Sequence, residues 1–173
     1  MTVFTATNLQ PQSPFIAGQT VTVGAYFVQS GTGFANGDTL VASQLIPASG
    51  VEVLDVFVRS NQLDTNAAPT GTYSVGDSLA DGNAVGRYIT GAVMGTNVAN
   101  AMIYNFSNVT PTVVSGAYTK GVGYFYGNDE NTAGTGITNG NVDLVMTITN
   151  AVATASTTHN VWMYVTYRCV GNI

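Results

Sequence analysis

Charge is what this chain has least of. Only 8% of its 173 residues are Asp, Glu, Lys or Arg, against about 25% in an ordinary soluble domain. The cations are Arg59, Arg87, Lys120 and Arg168. Four scattered positive groups cannot form the basic stripe that neutralises a phosphate backbone, which excludes nucleic acid as a partner. With a formal net charge of −5, an anionic membrane surface is disfavoured for the same reason. Cysteine is nearly absent as well, and Cys169 alone excludes an intrachain disulfide. It reads as a small residue ending the last strand, with a reactive thiol or an interchain link as the alternatives. No apolar run approaches the roughly 20 residues of a membrane helix. The opening MTVFTATNLQ has no basic region followed by an apolar core, so no signal peptide is expected.

Catalytic equipment is equally thin. The lone histidine, His159, starts the last strand beside a turn and has no second His or thiol near it in sequence, so a metal site lacks partners. No G-x-S-x-G elbow occurs. The pairs Gly31/Gly33, Gly121/Gly123 and Gly134/Gly136 lack the third glycine and the helix of a phosphate loop. Carboxylates remain: Asp64, Asp77 and Asp81 in neighbouring loops, and Asp129 with Glu130 in another. Hard cations take such oxygen ligands, but Asp77–Gly82 lacks the alternate-residue spacing of a calcium loop. Turn chemistry is the plainer reading. A hydrolase would need two carboxylates across a cleft, with Asp77, Asp81 and Asp129 as the candidates. We therefore expect no enzyme, no catalytic residue, no metal and no cofactor. Asn105-Phe106-Ser107 and Asn108-Val109-Thr110 match the glycosylation acceptor pattern, which carries little weight without a secretory signal.

What the chain does have is apolar alternation. Hydrophobic residues make up 45%, which argues against disorder. Val21, Val23, Ala25 and Phe27 alternate with polar or small residues. So do Val142, Leu144, Met146 and Ile148, and again Val161, Met163, Val165 and Tyr167. Val51–Ser60 is apolar on both faces, with Val51, Val53 and Phe57 predicted on one and Leu54, Val56 and Val58 on the other. That suits a central strand. Shorter strands are predicted at 39–46, 72–76 and 87–93, and 98–106 reads as strand or short helix. Gly, Asn and Pro separate these runs. About 8–9 strands and no firm helix predict an all-β fold, an antiparallel β-sandwich of jelly-roll type. Residues 1–19, with Pro11 and Pro14, read as an N-terminal arm or connector, and 20–173 as one sandwich domain.

With so little charge, the surface must be covered by Thr, Ser, Asn and Gly. This weakens the usual defence against association and favours burial in an assembly. Trp162 and Tyr164 alternate with a face that is already apolar, and Tyr124 and Tyr126 do likewise. These four are the candidate interface residues, since aromatic anchors are enriched at subunit contacts. A covering loop or a carbohydrate platform are the alternatives.

Two segments carry a resemblance. Val51–Gly91 runs strand, LDTNAAPT, TYSVGDS, RYITG; Asn141–Tyr167 reads NVDLVMTITNAVATASTTHNVWMYVTY. Together they resemble virion structural proteins of tailed bacteriophages, in part capsid decoration or cement proteins. The resemblance implies no catalytic residue. It implies a homo-oligomer, most simply a trimer, that binds the major capsid protein of the mature lattice on the capsid surface after synthesis in the host cytoplasm. The alternative is another virion module: a head fibre, or a tail or receptor-binding jelly roll that contacts glycan.

Overall fold

The computed structural model describes residues 1, 3–5, 7–8, 18–30, 33–47, 50–79, 85–96, 98, 101–109, 112–114, 117–120, 125–126, 137–138 and 141–170. Fourteen strands occur among them, and no helix. They are β1 Val3–Thr5, β2 Thr7–Asn8, β3 Thr20–Ser30, β4 Thr39–Pro47, β5 Val51–Asn61, β6 Thr72–Asp77, β7 Ile89–Val93, β8 Met102–Phe106, β9 Thr112–Val114, β10 Ala117–Lys120, β11 Phe125–Tyr126, β12 Ile137–Thr138, β13 Asn141–Asn150 and β14 Thr158–Cys169.

Two sheets carry the fold. One runs β1-β4-β13-β6-β7, with β12 also on β13; the other runs β11-β5-β14-β3-β2, with β8 also on β5. β9 and β10 form a separate hairpin. The eight long strands pair in nested order: β3 with β14, β4 with β13, β5 with β8 and β6 with β7. A long antiparallel ribbon rolled up on itself gives this nesting, and it is the winding of a jelly roll. Inner faces follow the alternation. Val142, Leu144, Met146 and Ile148 of β13 meet Val161, Met163 and Val165 of β14 in one apolar cluster.

β5 departs from simple alternation. Its register against β14 pairs Asp55 with Thr166 but Val53 with Tyr167, leaving Leu54 as an extra residue. Such a β-bulge reverses the facing of everything beyond it. Val51, Val53, Val56 and Val58 are therefore all buried, and Leu54 is 37% exposed. This corrects the expected split of these residues, and it puts Phe57 on the outside. The stretch 98–106 resolves as strand over Met102–Phe106, because five residues pair there with β5. Cross-strand bonding outweighs the weak helical spacing in so short a window.

Both open sides of the sandwich are bridged. At one, β1 joins β4 in parallel and β2 joins β3, so the stretch before residue 9 contributes to both sheets. At the other, Asn105 Nδ2 donates to Tyr73 Oη at 2.8 Å and to the Val93 carbonyl at 3.2 Å. Asn108 accepts from the Thr90 N–H at 2.8 Å and donates to the Thr90 carbonyl at 2.9 Å. Of the two asparagines of the glycosylation pattern, Asn105 thus ties β8 to β6 and β7, and Asn108, just beyond β8, ties to β7. Burial pushes the Tyr73 phenol well above its ordinary pKa, although the Asn105 bond pulls the other way.

Candidate functional site

The outer face of the β8-β5-β14-β3 sheet is built in cross-strand rows. The register places Tyr26, Trp162, Arg59 and Tyr104 in one row, and Gly24, Tyr164, Phe57 and Phe106 in the next. Tyr26 stacks on Trp162 with centroids 4.8 Å apart and planes at 22°. On the β5 side the Arg59 guanidinium carbon lies 4.6 Å from the Trp162 ring centroid. Tyr164 stacks on Phe57 at 4.5 Å and 13°, and Phe106 continues the row at 6.0 Å. Direct cross-strand neighbours sit close enough for such pairs to add about 0.5–1.5 kcal/mol each beyond burial.

Polar rows flank this band. Tyr26 Oη donates to Asn160 Oδ1 at 3.0 Å above it. Below it, the Thr22 and Thr166 hydroxyls lie 2.8 Å apart and Ser107 Oγ donates to Asp55 Oδ1 at 3.0 Å. Beyond these, Arg168 pairs with Glu52. An aromatic centre inside a polar rim is the anatomy of a protein–protein interface. Tyr104 and Phe106 are more than half exposed, which single-domain surfaces rarely offer beside other aromatics.

Of the four residues expected here, Trp162 and Tyr164 occupy the middle of the band. Tyr124 lies outside the described residues. Tyr126 belongs to β11, where its backbone pairs with Val51, but its side chain lies outside them too. The same face also carries Phe57, Arg59, Tyr104 and Phe106, which the alternation along the chain does not place there. The bulge at Leu54 hid the first two. For β8, the strand itself was unsettled, so its outward residues had no face to be assigned to.

Two of the acidic candidates, Asp64 and Asp77, are described, and both have partners within the fold. Asp64 is fully buried. Its Oδ2 accepts from the N–H groups of Thr70, Gly71 and Ala153 at 2.9–3.0 Å, and its Oδ1 from Asn66 and Thr154 at 3.2 and 3.1 Å. Burial alone would raise its pKa, but the backbone donors outweigh that and hold it at about 2. Asp77 faces Arg87 inside the protein, with Nε and Oδ2 2.5 Å apart and neither side chain exposed. Asp81, Asp129 and Glu130 lie outside the described residues. Among the described residues, no three His, Cys, Asp or Glu side chains gather as a metal site would need. His159 is buried on the inner face of β14, 4.9 Å from the Phe34 ring.

No protein-family model and no curated protein matches the chain. Solved structures do match its fold. One is a chain of the cyanophage Pam1 capsid asymmetric unit: 23% identical, TM-score 0.57, covering 92% of this chain and 91% of that one. Another belongs to the capsid of Ralstonia phage GP4: 14% identical, TM-score 0.55, covering 92% and 90%. At these identities the likeness is one of fold, and it extends over nearly the whole of each chain.

Proposed function

We propose that this chain is a structural protein of a phage virion, a decoration or cement protein that oligomerises and stabilises the mature capsid lattice. The observation that carries this is the pairing of a fold shared with two phage capsid chains with an outer sheet face that presents an aromatic band inside a polar rim. The partners are further copies of the chain, as a trimer, and the major capsid protein. The mechanism is mass action. A protein that binds the closed lattice, and not its loose subunits, adds its binding free energy to the stability of the lattice. A ring of three repeats one heterologous contact around a closed axis, so the aromatic face needs a complement elsewhere on the molecule.

The stacking on this face also bears on the alternative, a glycan-binding virion module. A sugar ring needs an open aromatic face. Trp162 is flanked by Tyr26 on the β3 side and Arg59 on the β5 side, so its own faces are already taken.

Sedimentation of the purified chain, followed by titration onto undecorated phage heads, tests the proposal. The expected result is a trimer and saturable binding that raises the temperature at which heads rupture. A persistent monomer that ignores the heads would sink it.

A further inference from the structure

The sandwich is incompletely filled where β1 crosses its open side. A cavity of about 230 Å³ remains there. Phe27, Phe34, Leu40, His159 and Val161 form its buried wall, and Val3 and Val28, both more than half exposed, form a rim that opens to solvent. Phe4 of β1 lines it too and is only half-buried. Three of these rings form a chain of contacts. Phe4 meets Phe34 edge-to-face at 5.6 Å and 87°, and Phe34 meets His159 at 4.9 Å and 51°. They present both edges and faces to one space, the two surfaces an aromatic guest can pair with.

Size decides the class of guest. An apolar cavity of about 150 Å³ stays dry and takes up benzene. The present one is half as large again, so a fused bicyclic ring fits and a drug-sized molecule does not. We infer that this cavity is a binding site for one small aromatic molecule of benzene to indole size, with β1 as its cover. Entry needs only a local opening. β1 is held by three residue pairs with β4, and the chain is pinned again at β2 by two pairs with β3; an edge strand of three residues between such anchors still opens locally at low cost. A bound ring in turn fastens β1 down, because Phe4 gains a packing partner.

The test is thermal melting and methyl NMR of the full chain with added indole. At about tenfold over its dissociation constant, indole should raise Tm by about 3–6 °C. It should also shift the methyl signals of Leu40 and Val161. Phe4→Trp puts a larger ring of the protein's own at the same place and should weaken indole binding at least tenfold. Should that variant not fold, the unmodified chain still answers through dissolved xenon, whose signal moves on entering an apolar pocket. An unchanged Tm with unmoved methyl signals up to the solubility limit of indole overturns the inference. So do methyl shifts that fall on Thr22 and Thr166 of the outer face instead. Shifts of the Leu40 and Val161 methyls that grow with protein concentration without indole would put a second copy's side chain in the pocket, and would equally overturn it. None of these outcomes depends on whether the chain binds a capsid.

Discussion

Tyr164 lies across the backbone of Gly24: a β-carbon at position 24 would come within 2.6 Å of Tyr164 Cδ1. The glycine is the empty place in its row that lets the ring lean over β3, with Phe57 stacked on its other side. Covering a strand glycine with a cross-strand aromatic is a known way to offset the weakness of glycine in a sheet. Gly24→Ala should push the ring aside and lose about 1 kcal/mol of stacking. Near-UV circular dichroism should register the altered tyrosine environment. An unchanged spectrum with higher stability would mean the ring adjusts freely.

Tyr104 and Phe106 stand at the edge of the aromatic band, 53% and 59% exposed. Replacing both with serine should alter folding stability by no more than about 0.5 kcal/mol each, as for ordinary surface changes. If the band is the docking face, self-association or head binding should weaken by tenfold or more, the scale of aromatic hot spots. Equal loss in folding and in binding would remove the case for a dedicated surface.

Asp64 makes stability depend on pH. Its pKa is about 2 in the folded chain against 3.8 for the free group. The contribution is therefore complete above pH 4 and disappears as pH falls through 4 towards 2. Its size is about 2 kcal/mol. Asp64→Asn turns an acceptor towards five backbone donors into a partial donor. It should cost about 2–3 kcal/mol at neutral pH and flatten the acid limb of the stability curve. Urea melts of both proteins at pH 2.5, 4 and 7 measure this.

Asp77 and Arg87 form a fully buried pair. Arg87→Met leaves the carboxylate uncompensated, and should cost about 3–5 kcal/mol. The double change Asp77→Leu with Arg87→Met removes both charges and should recover most of that loss. If the double variant is as unstable as the single one, the charge itself was not the cause.

The sequence and the fold agree best where the information is local. Val142, Leu144, Met146 and Ile148 are buried along β13, and Val161, Met163, Val165 and Tyr167 along β14, each as simple alternation predicts. Both strands keep one residue per pleat along nearly their whole length. β5 does not. One inserted residue at Leu54 turns Phe57 from the core to the surface, and nothing in VEVLDVFVRS marks where the slip falls. The slip is visible only against the neighbouring strand, where it falls opposite Thr166 and Tyr167. Asp64 is a similar case. Its neighbours in LDTNAAPT suggest a turn, and Asn66 does bond it locally, but two of its five donors come from Ala153 and Thr154.

From the order of residues alone came the class of fold, the inward side of the regular strands, the shortage of reacting groups and two of the aromatics at the middle of the outer face. These follow from period-two burial and composition, which neighbours along the chain determine between themselves. The nested strand order, the bulge, the alignment of aromatics into two rows, the buried Asp77–Arg87 pair and the cavity beneath β1 were settled only by tertiary structure. Each depends on which strand lies beside which, across separations that reach from Thr20 to Arg168. No local window of the chain contains both partners of such a contact.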